Sequence, residues 1–191
     1  MLEQILAYDK ELLLLINGAH NHVLDSVMLF ISSKLGWLPL YIFIIYVIYK
    51  DYGKKTWLVL ISIAATVLLA DQVSVHLFKN VFQRLRPCYD EELAQLLHMV
   101  KYCGGKYGFI SSHATNSFAI ALFSILILIK RHFWILPVML TYGLLIIYSR
   151  VYLGVHYPTD VLAGVIVGSV IGVSVYILFR YICFLKYKEK D

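Results

Sequence analysis

Apolar positions in this chain come in long blocks rather than in alternation. Residues 24–49, 56–78, 110–129, 133–148 and 158–184 are nearly free of charge. Blocks near or above about 18 residues have the length a helix needs to cross a hydrocarbon layer. Inside such a layer every backbone N–H and C=O must be paired within its own segment, so the blocks predict helices. The expected fold class is all-α: a polytopic transmembrane helix bundle of about five spans in one integral-membrane domain, residues 1–191. The first block is broken at Ser32-Ser33-Lys34-Leu35-Gly36. That leaves two readings open, a short half-helix followed by a spanning helix, or a segment that dips and returns.

Two stretches follow a different pattern. Residues 2–16 set apolar Leu2, Ile5, Leu6, Leu12 and Leu13 against Glu3, Asp9 and Lys10. This segment is too charged to span and is expected to lie in the membrane interface, as a helix within residues 1–20. Residues 79–109 form the one long loop, and its centre, 90–99, predicts a short lid-like helix. Asp90 is a good N-cap, Glu91 and Glu92 suit the first turn, and Leu93, Leu96, Leu97 and Val100 make one apolar face. In the last block Gly164, Gly168 and Gly172 form a small-residue stripe for close helix contact. Asp71 and His76, near the end of the second block, are expected to face the bundle interior and pair there.

Composition agrees with the blocks: 60% hydrophobic, 15% charged, mean hydropathy +0.74. Glu3, Asp9, Lys10 and Glu11 among the first leucines are the wrong charge order for a cleavable signal. The net charge of +5 is modest, and neither a nucleic acid nor a protein partner is expected. Its distribution is more telling. Lys50, Lys54, Lys55, Lys130, Arg131, Arg180, Lys186, Lys188 and Lys190 fall on one side of a five-span bundle, in short turns and the C-terminal tail. Positive charge there marks the cytoplasm. Lys10, Lys34, Lys79, Arg84, Arg86, Lys101, Lys106 and Arg150 fall on the other, with the long loop. That side is periplasm or cell exterior, where disulfides persist. Cys88 and Cys103 bracket the outer loop and are a candidate disulfide; closing about 15 residues is worth roughly 3 kcal/mol in the chain-entropy model. Cys183 is expected to be free. No cysteine has metal-ligand spacing, and no metal or cofactor is expected.

The candidate chemistry also lies on the outer side. Lys79 and Arg86 follow the second span, Ser111, Ser112 and His113 open the third, and Arg150, His156 and Asp160 link the fourth and fifth. Three cations beside a helix N-terminus suit a multiply charged anion, phosphate above all. His156 and Asp160 are four residues apart, and with Pro158 in the first helical turn both side chains can meet near that N-terminus. A carboxylate beside an imidazole fixes its tautomer. Two histidines can divide nucleophilic attack from protonation of the leaving oxygen.

The order Lys79, six residues, Arg86-Pro87; then Ser111 and His113; then Ser149-Arg150, five residues, His156, three residues, Asp160 resembles the type 2 phosphatidic acid phosphatase family. The wider superfamily includes bacterial acid phosphatases and vanadium haloperoxidases. The resemblance implies that His156 is a nucleophile forming a phosphohistidine, oriented by Asp160, with His113 as general acid. It implies that Lys79, Arg86 and Arg150 hold the phosphate, helped by Ser111 and backbone N–H groups. One departure stands out: the family's usual Pro-Ser-Gly-His is Ile110-Ser111-Ser112-His113 here. Ser112 brings a side chain where glycine lets backbone approach phosphate, and its hydroxyl is a candidate phosphate ligand or a tolerated small group. The implied protein is a metal-independent lipid phosphatase, multi-pass in a bacterial inner membrane, with its site facing outward and a lipid phosphate from the bilayer as its partner. Undecaprenyl pyrophosphate and lipid A phosphates are favoured over phosphatidic acid and phosphatidylglycerol phosphate. An anion or lipid transporter and a non-catalytic lipid-phosphate binder are the alternatives from other classes.

Overall fold

In the computed structural model, which describes residues 2–100 and 103–188, the regular elements are all helical. Lys101 and Lys190, counted in the charge distribution, lie outside the described residues. The order is α1 (Leu2–Gly18), α2 (His22–Ser32), α3 (Leu38–Tyr52), α4 (Thr56–Gln72), α5 (Asn80–Phe82), α6 (Glu91–Ala94), α7 (Ser112–Leu128), α8 (Ile135–Tyr152) and α9 (Pro158–Lys188). Among the described residues, three stretches are long and apolar enough to cross a membrane: Leu35–Phe82, Ile135–Tyr152 and Pro158–Cys183; α2 and α7 are shorter apolar helices.

The broken first block resolves into two helices. Asn21 caps α2 by accepting the Leu24 N–H at 2.9 Å. Ser33 leaves the helix in extended conformation, and its hydroxyl accepts the Gly36 N–H at 3.0 Å. A single 3-10 turn, Leu35–Trp37, then feeds α3, which has a proline in its first turn. The second block runs past its expected end at 78. After Gln72 the helix widens into a π-helical stretch, Val73–Lys79, and closes with α5 before Gln83 turns left-handed.

α7 is the central helix, with ten buried residues. It lies directly on α9 because the glycine stripe removes the side chains between them: a Cβ at Gly164 would sit 2.8 Å from that of Ala114. Ile48, Val59, Phe123, Leu128, Ile135 and Met139 fill the core of the bundle. At one end Asp51 meets His132 at 3.0 Å, tying the last turn of α3 to the turn between α7 and α8.

At the opposite end, three expectations are corrected. The helix expected at 90–99 is one turn, Glu91–Ala94, capped by Asp90. Leu93 and Leu97 are buried as that pattern requires, but Leu96 is exposed. The reason lies far away in sequence: the Asn17 side chain bonds the backbone N–H and C=O of His98, at 2.8 and 3.0 Å, and takes the chain out of helix. Second, α1 does not keep Asp9 on a wet face; Asp9 and Asn17 are 3% and 1% exposed. Leu13 of α1 packs with Val151, Tyr157 and Val161 of the α8–α9 region. Third, Asp71 and His76 are both exposed rather than paired inside, although Asp71 stands on the wall of a cavity described below. Cys88 and Cys103 are paired across the loop, with Cα atoms 6.3 Å apart, and Cys183 is free.

Candidate active site

The three motif segments converge at the outer ends of α7, α8 and α9. Ser111 is fully buried and caps α7; its N–H donates to the Asp160 carbonyl at 3.1 Å, joining the starts of α7 and α9. Ser112 and His113 then lie in the first turn. α8 runs a turn beyond its expected end at 148, so Ser149 and Arg150 are helical rather than part of a link. Gly154, at φ +68°, reverses the chain in a conformation few side chains tolerate. The chain then presents His156 before Pro158 starts α9, with Asp160 in the first turn.

His156 is 1% exposed and Asp160 wholly buried. His156 Nδ1 lies 3.4 Å from Asp160 Oδ2, which also accepts the Tyr157 N–H at 3.1 Å. An acceptor at that position favours the proton on Nδ1 and leaves the Nε2 lone pair free. Burial, then the nearby charges of Arg86, Arg150 and Lys79, hold the His156 pKa well below the usual imidazole value. The ring is therefore neutral, the state a nucleophile requires. Gly108 lets its strand of loop pass over the pair: a Cβ there would stand 2.9 Å from Asp160 Oδ2.

Each cation is held by a different device. Arg86, 8% exposed, donates to the carbonyls of Cys103 (3.0 Å), Tyr107 (3.3 Å) and Val155 (3.5 Å). Arg150 Nη1 donates to Ser32 Oγ of α2, and its buried Nε has no partner among the described residues. Lys79, at the end of the widened stretch, donates to Ser112 Oγ at 2.8 Å, and Ser112 Oγ also meets Ser74 Oγ at 2.8 Å. Ser112 thus faces a site cation, and Ser111 acts through its cap. His113 shares its surroundings with Arg150, His156, Lys34 and Lys79. Among the described residues no group of three His, Cys, Asp or Glu side chains could hold a metal ion.

A cavity of about 460 Å³ opens from this cluster. Lys34, Asp71, Ser112 and His113 stand at one end, and Tyr41, Ser124, Met139 and Tyr142 line the rest, between α3, α4, α7 and α8.

Sequence reasoning missed three residues here. Arg84, assigned only to the outer charge count, donates to Asp160 Oδ1 at 2.8 Å and to Asp9 Oδ2 at 2.7 Å. Asp9 and Lys34 come from the N-terminal region. The signal for Arg84 was its place two residues before Arg86. For Asp9, the adjacent Lys10 gave the same helical face a solvated reading.

A model of the PAP2 superfamily matches residues 55–183, which include all three motif segments. The chain belongs to that superfamily. It is 36% identical over 183 residues to a lipid A 4'-phosphatase of Porphyromonas gingivalis, covering 94% of this chain and 76% of the relative. It is 30% identical over 162 residues to an undecaprenyl-diphosphatase of Bacillus subtilis, covering 85% and 77%. Among solved structures, the PAP2-type phosphatidylglycerolphosphate phosphatase of Bacillus subtilis shares the fold, with a TM-score of 0.67 at 21% identity over 98% of this chain and 87% of that one. The chain is thus a membrane-embedded PAP2 phosphatase of lipid phosphates. The PAP2 match begins at residue 55, so Asp9, Ser32 and Lys34 brace or adjoin the site from outside it.

Proposed function

We propose that this PAP2 phosphatase hydrolyses the phosphate of a lipid A-type phosphate through a phosphohistidine on His156. The observation that carries the lipid reading is the cavity beside His113: it starts among polar groups and continues into the apolar interior of the bundle. A phosphate held at Lys79, Arg86 and Arg150 puts its leaving oxygen toward that cavity, where a hydrocarbon chain leaves water. His156 Nε2 attacks phosphorus, the P–O bond to the lipid breaks, and His113 gives its proton to the leaving oxygen. Water then attacks phosphorus, the N–P bond to His156 breaks, His113 takes the proton of that water, and inorganic phosphate departs. The cations stabilise the charge that builds on phosphorus oxygens.

The lipid A-type substrate rests on the identity to the Porphyromonas gingivalis protein. A diphosphate is the second reading, favoured by Lys34 beside His113, where it can meet a leaving group that keeps a phosphate. All 191 residues act as one domain, multi-pass in a bacterial cytoplasmic membrane with the site facing outward. Support for that orientation is the basic turns Lys50–Lys55 and Lys130–Arg131, tied together at the end of the bundle opposite the site.

The test is phosphate release in detergent with EDTA present, offering lipid A, undecaprenyl pyrophosphate and phosphatidic acid to wild type and His156→Ala. Release by the wild type alone, fastest from lipid A, is expected, and His156 protonation should limit the rate only well below pH 6.5. No release from any lipid by folded protein would sink the reading.

A further inference from the structure

We infer that Arg84 and Asp9 are positioning residues for the Asp160–His156 pair, so that the N-terminal helix α1 helps to set the nucleophile. The inference rests on the phosphatase reading above and adds to it a group that no phosphate touches.

Asp160 has two carboxylate oxygens with different duties. Oδ2 faces His156 and the Tyr157 N–H. Oδ1 receives Arg84 Nη1 at 2.8 Å. The same Nη1 donates to Thr159 Oγ1 at 2.7 Å, and Nη2 donates to Asp9 Oδ2 at 2.7 Å. Asp9 Oδ1 accepts the Thr159 N–H at 2.8 Å, one of the N–H groups that the start of α9 leaves unpaired. Thr159 Oγ1 also donates to Asp9 Oδ2. The guanidinium lies 4.0 Å from the centroid of the Tyr157 ring. All four carboxylate oxygens of this cluster are thus matched, and the two side chains are nearly or wholly buried, 1% and 0% exposed.

The chemistry of the cluster separates Arg84 from the phosphate cations. Arg86, Arg150 and Lys79 are the cations that act on His156 most, whereas Arg84 is turned to Asp160, Thr159 and Asp9. Its fork is occupied by two carboxylates and a hydroxyl. A planar guanidinium fixes the plane of the carboxylate it binds, so it fixes where Oδ2 stands for the His156 ring. It also keeps Asp160 ionised, since a buried carboxylate without a cation takes up a proton instead. A protonated Asp160 would not hold the Nδ1–H tautomer, and His156 would lose its direction. Asp9 in turn holds Arg84 and anchors α1 to the first turn of α9. The charged and titratable groups around Asp160 are Arg84 and Arg86 of the outer loop, Lys79 at the end of the widened helix, His156 and Tyr157 of the α8–α9 link, and Asp9 through Arg84.

The experiment measures kcat and KM across pH for full-length wild type, Arg84→Gln, Arg84→Lys, Asp9→Asn and the Arg84→Gln/Asp9→Asn double variant, with thermal unfolding in parallel. Arg84→Gln should lower kcat about 100-fold, the scale of a mispositioned reacting group, with little change in KM. Its acid limb should move to higher pH, and Arg84→Lys should recover part of both. Asp9→Asn should act in the same direction by about 10-fold, and the double variant should resemble Arg84→Gln, because the two residues act in series. A raised KM at unchanged kcat, an unmoved pH profile, or a loss that merely tracks unfolded protein would overturn the inference. ¹⁵N-histidine spectra give a readout independent of turnover: the Nδ1–H signature of His156 should blur in Arg84→Gln. Absence of any wild-type hydrolysis would sink the phosphatase reading, whereas an unaltered His156 signature in Arg84→Gln would sink the positioning role by itself.

Discussion

The outer ends of α7, α8 and α9 differ in kind from the N-terminal region, α1 to α3. The first carry the groups that the proposed reaction uses: His113, Arg150, His156 and Asp160, with Lys79 and Arg86 beside them. The second carries braces. Asp9 holds Arg84, Ser32 holds Arg150, and Asn17 holds the Tyr152 carbonyl at 2.7 Å. Reacting groups must meet one phosphate, so their spacing along helix starts and ends is constrained. A brace has only to meet its partner, and any element that passes nearby can supply it.

Arg150 offers the sharpest contrast between the two regions. Its Nη1 is occupied by Ser32, while its buried Nε, without a partner among the described residues, is the group proposed to meet a phosphate oxygen. Arg150→Ala removes a cation from the transition state and should lower kcat/KM by about 10²- to 10³-fold. Ser32→Ala leaves the cation in place but loose, and should cost about 10-fold, mostly in KM. Steady-state kinetics on both variants test the division. Equal losses would mean that the N-terminal region binds substrate directly.

Much of this was legible in the sequence, for reasons that apply unevenly. Long apolar blocks report helices because a hydrocarbon layer permits little else, and the glycine stripe of α9 reported a close helix contact, though not that α7 supplies it. The motif residues were legible because, in the proposed reaction, one phosphate ties their positions together. Asp9 was not, since a helical face read from residues 2–16 cannot say which of two adjacent charges turns inward. The one-turn α6 was not legible either. Its sequence favours a longer helix, and the bonds that end it come from Asn17, 81 residues away from His98.

The outer loop lies between the two regions, and its disulfide should show an intermediate effect. Arg86 donates to the carbonyl of Cys103, so the pair Cys88 and Cys103 indirectly supports a cation of the proposed phosphate site. Cys88→Ser with Cys103→Ser should lower the unfolding temperature by roughly 5–10 °C, from the entropy of the opened loop. KM should rise a few-fold while kcat changes little. A fall in kcat at unchanged KM would instead connect the loop to the nucleophile, through Gly108 over Asp160.

Ser112→Gly should have the smallest effect and probes the comparison from inside the PAP2 region. The wild-type hydroxyl sits between Ser74 and Lys79, at 2.8 Å from each. It is a brace, but one supplied by α7 at the site rather than by the N-terminal region. Removing it frees Lys79 by about one hydrogen bond, near 1 kcal/mol. It also lets the α7 backbone approach phosphate more closely, which opposes that loss. The two effects should leave kcat/KM within about 5-fold of wild type, because Lys79 keeps its charge. Phosphate release with substrate in excess and at limiting concentration separates them: a loose Lys79 raises KM, and a closer backbone raises kcat. A loss larger than that of Ser32→Ala would place the critical support of the cations within α7 and leave α2 a minor role.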